Sequence, residues 1–349
     1  KLQVIKISMA KKKIQNNQKF VILLICSLFF IAAMIVLSIF IGAEKSITFK
    51  DFINALFNYN DENFNETIIR NIRIPRIIAD IMVGACLAVA GAIMQGTTKN
   101  PMADSGIMGI SSGSVFSIII IMVFFPNISR LGRIGFSCLG ALVVTLLIYT
   151  VAFIGRKGLS SDRMVLSGMA ISTLFSSFTT AVVLKTGQSG EMMKYMAGSA
   201  ANTIWLDIYV SLPFFIVSIV ISIAISRSLT ILNLGDEVSK GLGGNVTLIK
   251  TLSTIVVLVL SAIAVVIIGP VGYVGLMVPH IVRHICGTDY RYVIPSCALL
   301  GAAFVLFVDF IAKNIMPGFE FPIGLLITII GVPFFIFASR RTDENTFNG

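Results

Sequence analysis

The sequence predicts an all-α, polytopic membrane protein: about ten transmembrane helices in a compact bundle, with both termini cytoplasmic. Three observations predict it. Of 349 residues, 56% are hydrophobic and only 13% are charged, where a soluble domain carries about 25% charge. The mean hydropathy is +0.93. The apolar residues also come in long blocks, more than one globular core needs. Soluble enzymes, disordered chains and disulfide scaffolds are therefore excluded.

A spanning helix needs roughly 20 mostly apolar residues. Residues 1–19 form a basic start with Lys1, Lys6, Lys11, Lys12, Lys13 and Lys19. Residues 20–42 are the first span. No small-residue cleavage site follows a short apolar core, so this segment is expected to remain as an anchor. Residues 43–72 are polar, with Asp51, Asp61, Glu62 and Glu66, and read as an outer loop holding a short amphipathic piece. Nine further apolar segments follow: 76–95, 107–125, 134–155, 164–184, 206–226, 248–268, 274–285, 293–312 and 322–338. Segment 274–285 is too short to cross at about 1.5 Å per residue. It is expected to tilt, or to extend through Gly269-Pro270. Residues 192–199 add a short outer helix, 227–247 form a cytoplasmic loop, and 341–349 a cytoplasmic tail.

The formal charge of +10 would suggest nucleic acid in a soluble protein. Here the basic residues flank apolar blocks and set orientation instead. Alternating the segments puts 17 Lys and Arg on the side of the termini and 10 on the other. The richer side is expected to be cytoplasmic.

Catalytic and metal motifs are weak. No Gly-Lys dipeptide occurs, so there is no phosphate-cradling Walker loop, and any ATP-driven step must come from a partner. His280 and His284 share a helix face, but no glutamate stands between them, and a polar helix-end cluster explains them better than a metal site. Gly187-Gln188-Ser189-Gly190 and Gly109-Ile110-Ser111-Ser112-Gly113 match short hydrolase patterns. The second needs a strand-turn-helix that a helical bundle lacks. The five cysteines form no CxxC pair and read as small packing residues. No metal and no bound cofactor are expected.

Asp80 and Asp309 are costly acids inside apolar runs. Both are expected near the outer ends of their helices, with Lys313 relieving Asp309 at i,i+4. No chain of acids suggests a proton relay. Gly84, Ala88 and Gly91 share a face that lets another helix approach closely. Residues 232–245 hold Asp236 and Glu237, which suit the start of a short helix, followed by glycines that stop it.

An ordered set of short motifs then stands out along the chain. It comprises Arg73-Ile-Pro-Arg76; Gly84, Gly91 and Gln95; Asn100-Pro101-Met-Ala103; and Gly106-Ile-Met-Gly109. It continues with Leu234-Gly235-Asp236-Glu237 before Leu242-Gly243, and with Gly269-Pro270 running to Pro279-His280-Ile-Val-Arg283. Asp309, Glu320-Phe-Pro322 and Gly331-Val-Pro333 complete it. Together these motifs resemble the FecCD-type permeases of ATP-binding-cassette (ABC) importers for ferric siderophores, haem and cobalamin. The resemblance implies one permease domain over residues 20–340, paired with a second copy or paralogue. It implies two ATPase subunits that use ATP and magnesium, an extracytoplasmic binding protein, and no catalytic residue on this chain. It implies that Gly235, Asp236, Glu237, Lys240, Gly241, Leu242 and Gly243 dock the ATPase. It implies that Arg73, Arg76 and Lys313 meet the binding protein as exposed cations, and that Ser161 and Asp162 form a cytoplasmic gate. Gln95, Asn100, Pro101, Pro279, His280, Arg283, Asp309, Glu320 and Pro322 fall in the structural motifs. The implied cargo is an iron chelate, most simply a ferric siderophore. Haem or cobalamin is the alternative, and an ion-coupled carrier is a more remote one. Met94, Met108, Phe116 and Phe175 could line a path, although core packing explains each.

Overall fold

A computed structural model of the chain describes residues 2–42, 47–105, 109–153, 161–186, 189–316 and 321–347. Among them the regular structure is helical throughout. Helix α1 (Leu2–Phe40) is continuous, so the basic start extends the first span rather than preceding it. The outer loop folds into α2 (Phe49–Phe57), α3 (Phe64–Ile68) and one π-turn, Ile69–Arg73, that runs directly into α4 (Ile74–Thr98). Then come α5 (Ile110–Phe124), α6 (Arg130–Phe153), α7 (Ser161–Thr186) and the short α8 (Ser189–Ala197). The rest is α9 (Trp205–Asn233), α10 (Asp236–Gly241), α11 (Val246–Ile268), α12 (Val274–Cys286), α13 (Tyr290–Ile315) and α14 (Ile323–Phe347). Among the described residues seven helices are long and apolar enough to cross a membrane, and three shorter apolar ones, in α5, α12 and α14, match the remaining segments.

Helix α4 is the axis of the bundle. In its most apolar window 89% of residues are buried, against 17% for α1 and 22% for α7. It packs on α9, α11, α12 and α13. The cause is its small-residue face. A Cβ on Gly84 would strike the backbone of Gly301 in α13, and one on Gly91 would strike the backbone of Gly275 in α12. Without a hydrophobic force between helices in lipid, such close backbone approach is what dispersion needs. Many of the exposed apolar residues, such as Phe29 at 77% and Leu184 at 73%, lie on α1, α6, α7 and α9, where lipid replaces water.

Helix α12 does not extend through Gly269-Pro270, as its length had suggested. Gly269 has φ +92 and ψ −170 and ends α11, and Tyr273 sits left-handed at φ 67. Non-helical backbone at membrane depth survives only where protein supplies its partners. Here Ser199 donates its N–H to Ile268 O (2.9 Å) and Ile323 donates to Gly198 O (3.0 Å), so the breaks after α8, after α11 and before α14 bind one another.

Candidate functional site

The α10 end carries the first cluster. Helix α9 runs to Asn233, so the predicted cytoplasmic loop shrinks to a tight connection around α10. Gly235 enters at φ +135 and Gly243 leaves at φ +81, backbone conformations that favour glycine. Asp236 opens the helix, and its half-exposed side chain is held by two lysines. Its two oxygens take Lys99 Nζ at 2.7 Å and Lys250 Nζ at 2.6 Å. Those lysines hold the Asp236 carboxyl below the usual carboxylate range, Lys250 first and Lys99 second. Lys99 follows the last turn of α4, and Lys250 lies in the first turns of α11. Ser239 is buried, and its carbonyl accepts the Gly244 N–H at 2.8 Å. Three apolar residues are exposed along this end and form a short apolar ridge: Leu234 at 69%, closing α9, Val238 at 46%, in α10, and Leu242 at 67%, just after it. Glu237, Lys240 and Gly241 are exposed beside it.

Between α4, α5, α6 and α11 an open cleft of about 430 Å³, its mouth included, reaches toward this end. Met94, Thr98, Ile110, Tyr149, Thr254 and Val257 line it. Of the other path candidates, Phe116 and Phe175 pack edge to face at 5.4 Å and spend their rings on one another. Met108 lies outside the described residues.

The structural motifs converge where α12 meets α4. Gln95 donates its amide to Gly275 O at 3.0 Å and accepts a hydrogen bond from the Arg283 guanidinium. The Asn100 side chain caps its own turn, accepting the Met102 N–H at 2.9 Å, with Pro101 exposed at the turn's surface. After that turn the chain dives inward: Ala103, Asp104 and Ser105 are buried, and the Asp104 carboxylate lies against Gly275. His280 stacks on His284 at 5.9 Å and takes the edge of Phe334 at 5.7 Å, a packed polar–aromatic cluster. Pro279 is buried within α12 and Pro322 precedes α14. Among the described residues no three His, Cys, Asp or Glu side chains converge on a point that could hold a metal.

The α2 end corrects the sequence reading of the cations. Arg73 and Arg76 are each only 8% exposed. The Arg73 guanidinium donates to Ile39 O. Arg76 grips Asp309 with Nε at 2.9 Å and Nη2 at 2.8 Å. Asp309 is thus neutralised from α4 rather than mainly by Lys313, whose ammonium donates to Ser38 O at 3.0 Å. The reason is depth. A buried carboxylate needs a desolvated partner, and the planar Arg fork meets it bidentately while Lys cannot. In this arrangement Arg73, Arg76 and Lys313 fasten α1, α4 and α13 together and are not free, exposed cations. The exposed guanidinium nearby is Arg70, held 4.5 Å over the Tyr59 ring, with its carbonyl accepting Trp205 Nε1–H at 2.8 Å. Sequence reasoning passed over it, although it stands one helical turn before Arg73. It also missed the Arg130–Asp207 pair at 2.7 Å, which ties α6 to α9. Glu320 lies outside the described residues, as do the side chains of Ser161 and Asp162 and that of Ser189, so the proposed gate has no side-chain geometry here. Ser111 of the second hydrolase pattern is buried in the first turn of α5, away from any strand.

These features can be compared with known proteins. The profile described as the FecCD transport family matches residues 28–341. The chain is 37% identical to the iron(3+)-hydroxamate import system permease protein FhuB of Bacillus subtilis (strain 168), over 92% of this chain and 83% of that one. It is 36% identical to the Fe(3+)-citrate import system permease protein YfmD of the same organism, over 89% of this chain and 94% of that one. A solved metal-chelate type ABC transporter in an inward-facing conformation superposes with a TM-score of 0.77 at 26% identity, covering 91% of this chain and 98% of that chain.

Proposed function

The chain belongs to the FecCD transport family, and from that premise we propose that it is the permease subunit of an ABC importer that carries an iron chelate, of the ferric-siderophore class, across the cytoplasmic membrane. One observation carries the proposal. Leu234, Val238 and Leu242 are greasy and exposed on and on either side of a short helix that Asp236 clamps to α4 and α11. Both of those helices wall the cleft. A partner ATPase that grips the ridge would therefore move the cleft's walls without extended loops to absorb the motion. The ATPase supplies ATP, magnesium and hydrolysis, and the permease supplies the conduit.

On this reading the α10 end is cytoplasmic, in line with the excess of Lys and Arg on that side. A second permease, identical or paralogous, completes the path, and a binding protein delivers the chelate at the α2 end. That the relatives FhuB and YfmD are named for iron hydroxamate and iron citrate supports iron over haem or cobalamin as the cargo. The test is uptake in cells lacking this chain and complemented with it. Radio-iron presented as hydroxamate, catecholate or citrate chelates should enter, and labelled haem or cobalamin should not. Uptake of cobalamin or haem alone would reassign the cargo.

A further inference from the structure

Helix α2 has three faces, and one of them is left largely uncovered by the described residues. Phe52 and Ala55 pack inward on Phe40, Ile69 and Ile74. Lys50, Asp51, Asn54 and Asn58 hold the polar face, and Thr48 and Asp51 close a capping box that fixes where the helix begins. The third face is Phe49 at 68%, Ile53 at 39%, Leu56 at 46% and Phe57 at 82% exposure. At 3.6 residues per turn these four fall within an arc of roughly 100°, opposite Asp51. An exposed apolar arc of this size needs an occupant.

We propose that α2 lies flat in the membrane interface at its end of the bundle, with Phe49, Ile53, Leu56 and Phe57 sunk among lipid headgroups and upper acyl chains. The occupant is lipid because this face continues an apolar surface at the end of a spanning helix. Phe49 stacks at 6.3 Å on Phe40, in the last turn of α1. Around it, Val36 and Leu37 on α1 and Ile41 just past its end are exposed at 55%, 38% and 45%. Phe64 and Ile72, in α3 and the π-turn, are also exposed, at 68% and 50%. Trp205 and Tyr209 stack at 5.5 Å, with Trp205 bonded to the Arg70 carbonyl and Tyr209 62% exposed. Such amphipathic aromatics favour the interfacial layer. Lys50, at the border between the apolar and polar faces, has the reach to place its ammonium among headgroup phosphates.

The face thus anchors the π-turn and the start of α4 at fixed depth. The proposal rests on the spanning bundle alone and is independent of the cargo and of the ATPase. The test places one tryptophan at a time at Phe57, Phe49 and Asn54, over the same Trp205 background, in the full chain reconstituted into phosphatidylcholine vesicles. The lipids are brominated near either the ester end or the methyl end of the acyl chain. For Phe57→Trp and Phe49→Trp, shallow bromines should quench about twofold more than deep ones, as expected for a face buried 5–10 Å into the interface. Aqueous iodide should reach Asn54→Trp and spare the other two. Iodide quenching of Phe57→Trp equal to that of Asn54→Trp, with no bromine effect, would overturn the proposal in favour of an open face. Resistance of Phe57→Trp to both quenchers would overturn it in favour of a protein cover.

Discussion

Arg76 and Asp309, 233 positions apart in the chain, form a buried bidentate ion pair that locks α4 to α13. Breaking such a pair strands a charge in a dry site and costs about 3–5 kcal/mol. Asp309→Asn and Arg76→Leu should each lower the thermal midpoint of the detergent-solubilised chain steeply, whereas Arg76→Met with Asp309→Leu should recover most of the loss. Equal midpoints for the single and double variants would mean that the pair is not what joins the helices. Asp80 lies one turn along and fully buried, its oxygens without a donor among the described residues. Asp80→Asn should therefore be neutral or stabilising.

The Asp236 clamp makes a pH-dependent prediction. Its folded carboxyl titrates below the ordinary value because Lys250 and Lys99 donate to it. The stability it supplies is complete above the unfolded value of about 3.9 and is lost as the pH falls through the lowered folded value. The side chains are 36–43% exposed, so each contact contributes roughly 0.2–1 kcal/mol. Asp236→Asn should cost little stability at neutral pH and remove that acid dependence. It should also lower ATP-driven uptake more than it lowers ATPase binding in a pull-down, and Asp236→Glu should restore part of the uptake. Parallel loss of both would put Asp236 in the docking contact itself.

Glycines separate by what surrounds them. A Cβ on Gly135 of α6 would meet nothing within 4 Å, so Gly135→Ala should gain about 0.5–1 kcal/mol from helix propensity. Gly91→Ala gains the same propensity but drives a methyl into the Gly275 backbone, which cannot rotate away as a side chain would. Overpacking costs typically 1–3 kcal/mol, so the sign reverses. Folded yield and thermal midpoint of the two variants read this directly.

Charge reversal at the α2 end should distinguish fastening from docking. Arg70→Glu changes an exposed group and should leave folding intact while weakening capture of the binding protein. Arg73→Glu and Arg76→Glu should reduce the amount of folded chain. If all three accumulate normally and lose only binding-protein capture, the buried positions of Arg73 and Arg76 do not persist in the working complex.

The helical bundle was legible because lipid demands long apolar blocks, and those blocks appear whatever their neighbours. The Gly84, Ala88 and Gly91 face was legible for the same reason, since small residues at helical spacing have few other uses in a span. The break at Gly269 was not legible. The short segment 274–285 left a tilt or an extension through Gly269-Pro270 open, and the carbonyl and amide partners that allow the break, Ile268 with Ser199 and Gly198 with Ile323, lie far apart in the chain. The partner of Asp309 was misassigned because Lys313 is near in sequence and Arg76 is near only after α4 and α13 pack. Exposure of Arg73 and Arg76 could not be read from their charge, and Arg70 carried no motif to distinguish it. The Leu234, Val238 and Leu242 ridge was visible as three apolar residues four apart in a polar loop, a signal that the acidic residues beside them obscured.

Reconstitution tests the central claim most directly. This chain, its companion permease, the ATPase and the binding protein are placed together in vesicles with a radio-iron siderophore, and internal iron is counted with each component omitted in turn. The account predicts ATP-dependent accumulation that vanishes without the ATPase and falls sharply when Leu242→Glu disrupts the ridge. Accumulation by the chain without any ATPase, driven by an ion gradient, would contradict it.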